Sequence, residues 1–469
     1  MYVQQLYTNC LSEAAYYIES NGEAAIVDPL RDTQAYIDLA KERGAVIKYI
    51  FETHFHADFV SGHIDLASKA QAPIVYGPNA RTSYEVINAT DGQVFPLGSC
   101  SITALHTPGH TLESTCWLLK DEKQNDYCVF TGDTLFVGDV GRPDLFGASI
   151  TKEELAAMMY DSLETKIKTL GDHVIVYPAH GPGSACGKNL GKETYTTIGV
   201  QKANNYALLA ESKTDFIKAV TEGLNTPPQY FPLNAKINKE GYDSLDLVLE
   251  QGLTGMDVPT FKQAMQADNT IVLDTRPATV FTKGYVPGSI FIGLEGRFAE
   301  WVGTVLPITQ AILLVTEEGK EQETIIRLAR VGYDNVIGFL KGGYEAWIAA
   351  GEEQDMIIDV EADELVMDMK YDDKLSIIDV RKQVEFDAGH LRGAKLTPLN
   401  DFLTDPMIYA SLDDNENMYV HCAGGYRSVI AASILKREDI HNIRNVLGGW
   451  NAIKEVPQAD MVTNIVQPN

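Results

Sequence analysis

The chain has 469 residues, 45% of them hydrophobic, which is enough for about three domains of ordinary size. Lys plus Arg number 38 against 65 for Asp plus Glu, a formal net charge of −27. Such a surface repels the phosphates of nucleic acid and an anionic membrane face, so neither is an expected partner.

The N-terminus, MYVQQLYTNC, lacks the basic start and apolar core of a secretory signal, and no apolar run approaches the roughly 20 residues needed to span a bilayer. A cytoplasmic location is expected. Over residues 1–222 the runs EAAIVDP, VIKYIFETH, APIVYG, SITALHTPGH, YCVFTGDTL and HVIVYPAHG read as strands, each ending in a loop that holds His or Asp. TQAYIDLAKERG and SGHIDLASKAQ read as helices between them, so this part is mixed α/β. Residues 223–254 contain Pro-Pro, many polar residues and little periodicity, and read as an extended connection.

After the connection the chain repeats itself. IVLDTRPATVFTKGYVPGSIFIGL (271–294) matches SIIDVRKQVEFDAGHLRGAKLTPL (376–399), with Asp274 on Asp379, Tyr285 on His390 and Gly288 on Gly393. Two copies of one small domain are expected, over 255–352 and 358–460, each with a parallel α/β sheet.

The first part carries the metal-binding chemistry. THFHADFVSGH (53–63) holds His54, His56 and Asp58; LHTPGHT supplies His110, FTGDT supplies Asp133 and YPAHG supplies His180. Imidazoles and carboxylates gathered at the strand ends of one sheet can converge on a metal. The ordered set H-x-H-x-D, PGH, TGD, AHG resembles the metallo-β-lactamase superfamily over about the first 220 residues. That resemblance implies a four-layer αββα sandwich with the site at one edge of its two sheets.

Dinuclear hydrolases of that superfamily carry H-x-H-x-D-H, but the last position here is Phe59, which cannot ligate. A second ion would keep only Asp58, His180 and a shared Asp133, so a mononuclear site is expected. These donors suit zinc and iron alike. Resemblance to the superfamily's persulfide dioxygenases implies one Fe(II) per chain, held by His54, His110 and Asp133 with the opposite side open. By the same resemblance His56, Asp58 and His180 surround and orient the ligands. Arg142, nine residues after Asp133, would grip a carboxylate of the thiol carrier. Asp144 and Tyr177 lie nearby in sequence without an assigned role.

The six cysteines, Cys10, Cys100, Cys116, Cys128, Cys186 and Cys422, include no C-x-x-C pair and read as reduced thiols. In YVHCAGGYRS, Cys422 ends a strand and opens a loop of Ala423, Gly424, Gly425, Tyr426 and Arg427, with Ser428 entering a helix. Inward backbone N–H groups, a helix N-terminus and an arginine all favour thiolate over thiol. With IIDVR, EFDAGHLRGA and VLGGW this resembles a rhodanese domain over 360–455. Cys422 and Arg427 are then the sulfur-transfer residues, and Asp379 and Arg381 brace the loop. Counting 43 residues from Asp274 puts Glu317 where Cys422 stands and Gln322 where Arg427 stands, so the first copy is expected to be inactive.

The whole order resembles fused persulfide dioxygenase–rhodanese proteins with an inactive middle domain. It implies that a low-molecular-weight persulfide and O2 give sulfite and thiol. Cys422 then hands sulfane sulfur to sulfite to form thiosulfate, or runs that step in reverse. Two alternatives stay open: a thioester hydrolase of the glyoxalase II type, and a sulfane-sulfur carrier or sensor with a structural metal. The identity of the thiol carrier and a homo-oligomeric state are also open.

Overall fold

A computed structural model describes residues 1–145, 150–224 and 226–464. The chain forms two compact units. The first, Met1–Leu247 with Leu328–Gly332, is built on two six-stranded sheets. One sheet orders Tyr2–Thr8, Glu13–Ser20, Glu23–Val27, Val46–Phe51, Ile74–Tyr76 and Ile87–Asn88. The other orders Thr196–Thr197, Ile175–Pro178, Asp126–Gly132, Thr115–Lys120, Cys100–His106 and Val94–Leu97.

The alternation of apolar residues along these strands buries one face of each sheet against the other. Tyr16, Phe51, Phe95, Trp117 and Phe130 fill the space between the sheets. The opposite faces are covered by helices: Gln34–Glu42 and His63–Ala70 on the first sheet, Lys152–Ser162 and Lys213–Thr221 on the second. This is the four-layer αββα order that the resemblance implied.

The second unit contains two five-stranded, all-parallel sheets with the same strand order. The first runs Gly255–Met256, Val336–Leu340, Ala311–Val315, Thr270–Asp274, Ile290–Phe291. The second runs Ile358–Val360, Ile443–Val446, Asn417–His421, Leu375–Asp379, Lys395–Leu396. Their central strands are continuous apolar runs because helices cover both faces.

The register of the two copies corrects one expectation. Asp274 pairs with Val315, whereas Asp379 pairs with His421, so the residue after each pair is Thr316 in one copy and Cys422 in the other. A Cβ built on Gly343 would approach the Thr316 carbonyl, and one on Gly449 the Cys422 carbonyl, which fixes the same equivalence independently. The first copy is therefore one residue shorter before its loop. Thr316 replaces Cys422 and Glu321 replaces Arg427, not Glu317 and Gln322. Simple counting failed because the deletion falls between the aligned motifs.

Residues 223–254 also differ from expectation. They include the helices Phe231–Glu240 and Leu245–Gly252 rather than an extended connection. Pro232 in the first turn starts the former helix where a missing N–H costs nothing, and Gly241 ends it.

Candidate functional site

Four strand ends converge at one edge of the first unit. Val46–Phe51 leads to His54, Cys100–His106 to His110, Asp126–Gly132 to Asp133 and Ile175–Pro178 to His180. Asp133 and His180 are neighbours because their strands pair in parallel, Gly132 opposite Pro178. Gly132 has φ +51°, and a Cβ there would lie 2.5 Å from Thr53 Oγ1. Only glycine permits both the left-handed backbone and the close approach that sets Asp133 beside His54.

All six metal-type residues are buried. One donor atom each from His54, His110 and Asp133 lies within 4.8 Å of the others, and the same holds for His56, Asp58 and His180. Asp133 Oδ2 stands 3.4 Å from His110 Nε2 and 3.9 Å from His54 Nε2, while its Oδ1 stands 3.5 Å from His180 Nε2. His180 Nε2 is also 3.5 Å from Asp58 Oδ2.

The outer ring nitrogens are fixed by hydrogen bonds. His110 Nδ1 donates to the Arg142 carbonyl (2.8 Å) and His180 Nδ1 to the Ser12 carbonyl (3.2 Å). Thr53 spends its hydroxyl hydrogen on Asp28 Oδ2 (2.8 Å), so His54 Nδ1 donates to Thr53 Oγ1 (2.9 Å). Each Nε2 is thereby left as a lone pair facing Asp133, the tautomer a metal needs. Burial, then the neighbouring His56, His110 and His180, hold the His54 imidazole well below its ordinary pKa, so it is neutral.

Both Asp133 oxygens and His180 Nε2 are buried without a hydrogen bond. Orphaned acceptors this close together are costly unless a cation joins them. The donor set therefore fits a metal ion.

His56 differs in its surroundings. Its Nε2 lies 3.1 Å from Asp28 Oδ1 and 3.6 Å from Glu52 Oε2. Burial alone would depress its pKa, but Asp28, then Glu52 and Asp58, outweigh it and lift it to about 10. It is a buried imidazolium in a carboxylate network.

Arg142 is also buried, with Nε and Nη2 on Asp144 (2.7 and 2.8 Å) and Nη1 on the Ala185 carbonyl (3.2 Å). Its visible work is to hold its own loop and, through its carbonyl, His110. Cys186, one of the six thiols of the sequence, is buried with its sulfur near Asp133 and His180. Tyr177 is half-buried and packs against the inter-sheet core.

Residues outside the motifs position the H-x-H-x-D loop. Asn238 is buried, and its Nδ2 donates to the carbonyls of His56 (2.7 Å) and Phe59 (2.8 Å). Its Oδ1 accepts from Ser61 N–H (2.9 Å), and the Tyr242 hydroxyl donates to the Ser61 carbonyl. No motif marks Asn238, which lies 182 positions after His56. An Asn238→Ala chain is expected to lose about 2–4 kcal/mol of stability, from three buried backbone groups left unsatisfied. Its metal affinity should fall roughly tenfold, as when other groups behind a ligand are removed. Thermal melts and metal titration check this; an unchanged metal affinity would show that the clamp is not used.

In the second unit Cys422 is buried, and its sulfur accepts the Gly425 N–H (3.1 Å) and the Ser428 hydroxyl (3.7 Å). The following helix, Tyr426–Arg437, points its N-terminus at the loop. The loop's carbonyls are held from behind: Trp450 N–H donates to Cys422 O (2.6 Å) and Asn451 N–H to Ala423 O (2.9 Å). At Gly449, with φ +54°, a Cβ would sit 2.3 Å from that Cys422 oxygen, so no other residue fits.

Arg381 makes a buried pair with Asp379 (2.7 Å), donates to the Gly389 carbonyl (2.7 Å) and lies over the Trp450 ring at 4.6 Å. Arg276 repeats this on Asp274, Gly284 and Tyr344, so the brace belongs to both copies. Arg427 is gripped at both ends of its fork by Glu385 (2.7 Å each). Burial pushes the Glu385 carboxyl up, but Arg427 and the Lys382 N–H win and hold it below its ordinary range. The EF of EFDAGH was the available signal for Glu385, read in the sequence only as part of a motif.

Residues 8–180 match the family described as the metallo-beta-lactamase superfamily, and 257–350 and 361–456 each match the rhodanese-like domain. A structure described as a metallo-beta-lactamase from Staphylococcus aureus is 32% identical with a TM-score of 0.64, over 72% of this chain and 98% of that one. The chain belongs to the metallo-β-lactamase superfamily. It adds two rhodanese-like domains to that fold.

Curated relatives of this metallo-β-lactamase–rhodanese chain match about a third of its length. A cytoplasmic hydroxyacylglutathione hydrolase of Arabidopsis thaliana is 34% identical over 36% of this chain and 65% of its own length. The mitochondrial persulfide dioxygenase ETHE1 of Bos taurus is 31% identical over 34% of this chain and 59% of its own. The chain spans about 60% of the length of the curated relatives it matches. Among the described residues, no helix is long and apolar enough to cross a membrane.

Proposed function

We propose that this chain is a non-haem Fe(II) persulfide dioxygenase joined to a sulfurtransferase, and that it acts on a low-molecular-weight persulfide. The observation that carries this is the pairing, within one chain, of a two-histidine, one-aspartate donor set with a cysteine seated in an anion cradle. Phe59, fully buried, occupies the place where dinuclear hydrolases have a further ligand. The Bos taurus relative, named for the same activity, supports the assignment.

His54, His110 and Asp133 would hold the iron. Bound there, it would supply O2 activation and oxygen transfer to sulfur. The protein's part is to keep three neutral or anionic donors on one side, and to exclude side reactions by burying them. Asp58 and His180 flank the site and orient what binds there. Cys422 takes up a sulfane sulfur, and Arg427, with the backbone of Ala423 to Tyr426, steadies the anion. Residues 255–352, with Thr316 in place of the thiol, take no part in sulfur transfer as a nucleophile.

A second reading, thioester hydrolysis, is favoured by the several hydroxyacylglutathione hydrolases among the relatives and by the extra donors Asp58, His180 and Cys186 beside Asp133. Anaerobic purification, metal analysis and an oxygen electrode separate the two. About one iron per chain with persulfide-dependent O2 uptake is expected. A zinc pair with thioester cleavage and no O2 uptake would overturn the assignment.

A further inference from the structure

Residues Leu328–Gly332 fall, in sequence, within the first rhodanese-like match, yet they fold with the first compact unit. Arg330 is at their centre. Its carbonyl accepts the Val60 N–H (2.7 Å), two residues after Asp58. Its guanidinium forks onto Asp32, Nε to Oδ1 and Nη2 to Oδ2 at 2.8 Å each, and its Nη1 stands 3.9 Å from Cys10 Sγ. The side chain is 16% exposed. A mostly buried fork of two charge-assisted bonds fixes direction as well as distance, which a lysine ammonium cannot do.

These partners sit on three turns that back the metal site. Val60 continues the H-x-H-x-D loop. Asp32 closes the turn that begins at Asp28, the carboxylate that fixes Thr53. Cys10 belongs to the turn whose Ser12 carbonyl accepts His180 Nδ1 (3.2 Å). The first two turns also hold each other, since Gly62 N–H donates to the Pro29 carbonyl (2.8 Å). Arg31, fully buried, donates to the carbonyls of Ala329 (3.1 Å) and Asp243 (2.6 Å), which ties the segment of Arg330 to the one that carries Asn238 and Tyr242. Asp58 needs such support. Its Oδ1 is buried without a hydrogen bond and its Oδ2 stands 3.5 Å from His180 Nε2, so the backbone on either side sets where it points.

We propose that Arg330 is a positioning residue of the oxidation site: it locks the loop after Asp58 and the turn behind His180 in place, so that these two side chains meet the persulfide in one fixed arrangement. This rests on the dioxygenase assignment, in which Asp58 and His180 flank the iron and do not hold it. Arg330 touches none of His54, His110 and Asp133 through the contacts described, so its loss should loosen substrate binding and leave the metal. Arg330 and Asp32 are 298 positions apart, and no motif marks either.

The test uses the full, iron-loaded chain with glutathione persulfide as the probe. Arg330→Met should raise KM about three- to tenfold, with kcat within about twofold of the parent and one iron per chain retained. Asp32→Asn should act alike, and the double variant should be no worse than either, because the two side chains form one clamp. Arg330→Lys, which keeps the charge without the fork, should fall between. In hydrogen–deuterium exchange, peptides covering 8–12 and 54–62 should exchange several-fold faster in Arg330→Met, while the strand Asp126–Gly132 stays as in the parent. Should Arg330→Met fail to fold, Asp32→Asn and Arg330→Lys carry the same comparison. Parent-like KM and exchange, additive effects of the two single variants, loss of iron, or faster exchange throughout the first unit would each overturn the proposal. If the unaltered chain takes up no O2 with persulfide, the dioxygenase assignment fails instead. The exchange result, which needs no turnover, then still decides whether Arg330 holds the two turns.

Discussion

An Asp133→Ala chain, purified anaerobically, is expected to retain less than about a tenth of the parent's metal and to show no persulfide-dependent O2 uptake. Among the described residues, Asp133 is the one whose two oxygens face all three inward-pointing imidazole nitrogens: Oδ2 toward His54 and His110, Oδ1 toward His180. Its position is set by the parallel pairing of Gly132 with Pro178.

The same variant makes a second, less obvious prediction about stability. With no metal bound, Asp133 is a buried carboxylate lacking hydrogen bonds, and its removal relieves that cost. Metal-free Asp133→Ala should therefore melt no lower than the metal-free parent. Added metal should raise the melting temperature of the parent alone, since only a chain that binds the ion is stabilised by it. Cys422 in the variant should still accept sulfane sulfur. Stoichiometric metal with undiminished O2 uptake would sink the ligand assignment.

What could be read from the sequence was what is local. His54, His56 and Asp58 fall within seven residues after one strand, and His110, Asp133 and His180 each follow their own strand by a few positions. Strand ends and motif spacing therefore picked out residues that the structure gathers at one edge, while the sandwich followed from the resemblance those motifs carry. What escaped was set by long-range contact. Asn238 reaches the H-x-H-x-D loop from a segment whose Pro-Pro and polar composition read as a connection, because its helices are short and weakly patterned. Asp28 fixes Thr53, and through it the His54 tautomer, from the end of a different strand. The first copy's loop was displaced by one because counting in sequence cannot see a deletion that sheet register shows at once. The carboxylate on Arg427 was missed for a related reason: the motif shows that a glutamate is present, but not that it lies across the cradle's only arginine.

A Cys422→Ser chain is expected to consume O2 with persulfide within about twofold of the parent, while thiosulfate formation falls by more than about a hundredfold. The substitution suits the site. The Gly425 N–H and the Ser428 hydroxyl that reach the sulfur can reach an oxygen, so the cost in stability should stay near 1 kcal/mol. The chemistry does not survive the exchange. In the transfer, the sulfur of sulfite attacks the outer sulfur of the Cys422 persulfide, a new S–S bond forms, and the old one breaks with its electron pair returning to Sγ. A serine hydroxyl can neither carry that outer sulfur nor leave as so stable an anion. Nothing in this step calls on His54, His110 or Asp133, which lie in the other compact unit. Sulfite should therefore accumulate in place of thiosulfate, mole for mole with the O2 consumed. Loss of O2 uptake along with thiosulfate would mean that Cys422 takes part in oxidation itself, and the division of labour between the two units would have to be abandoned.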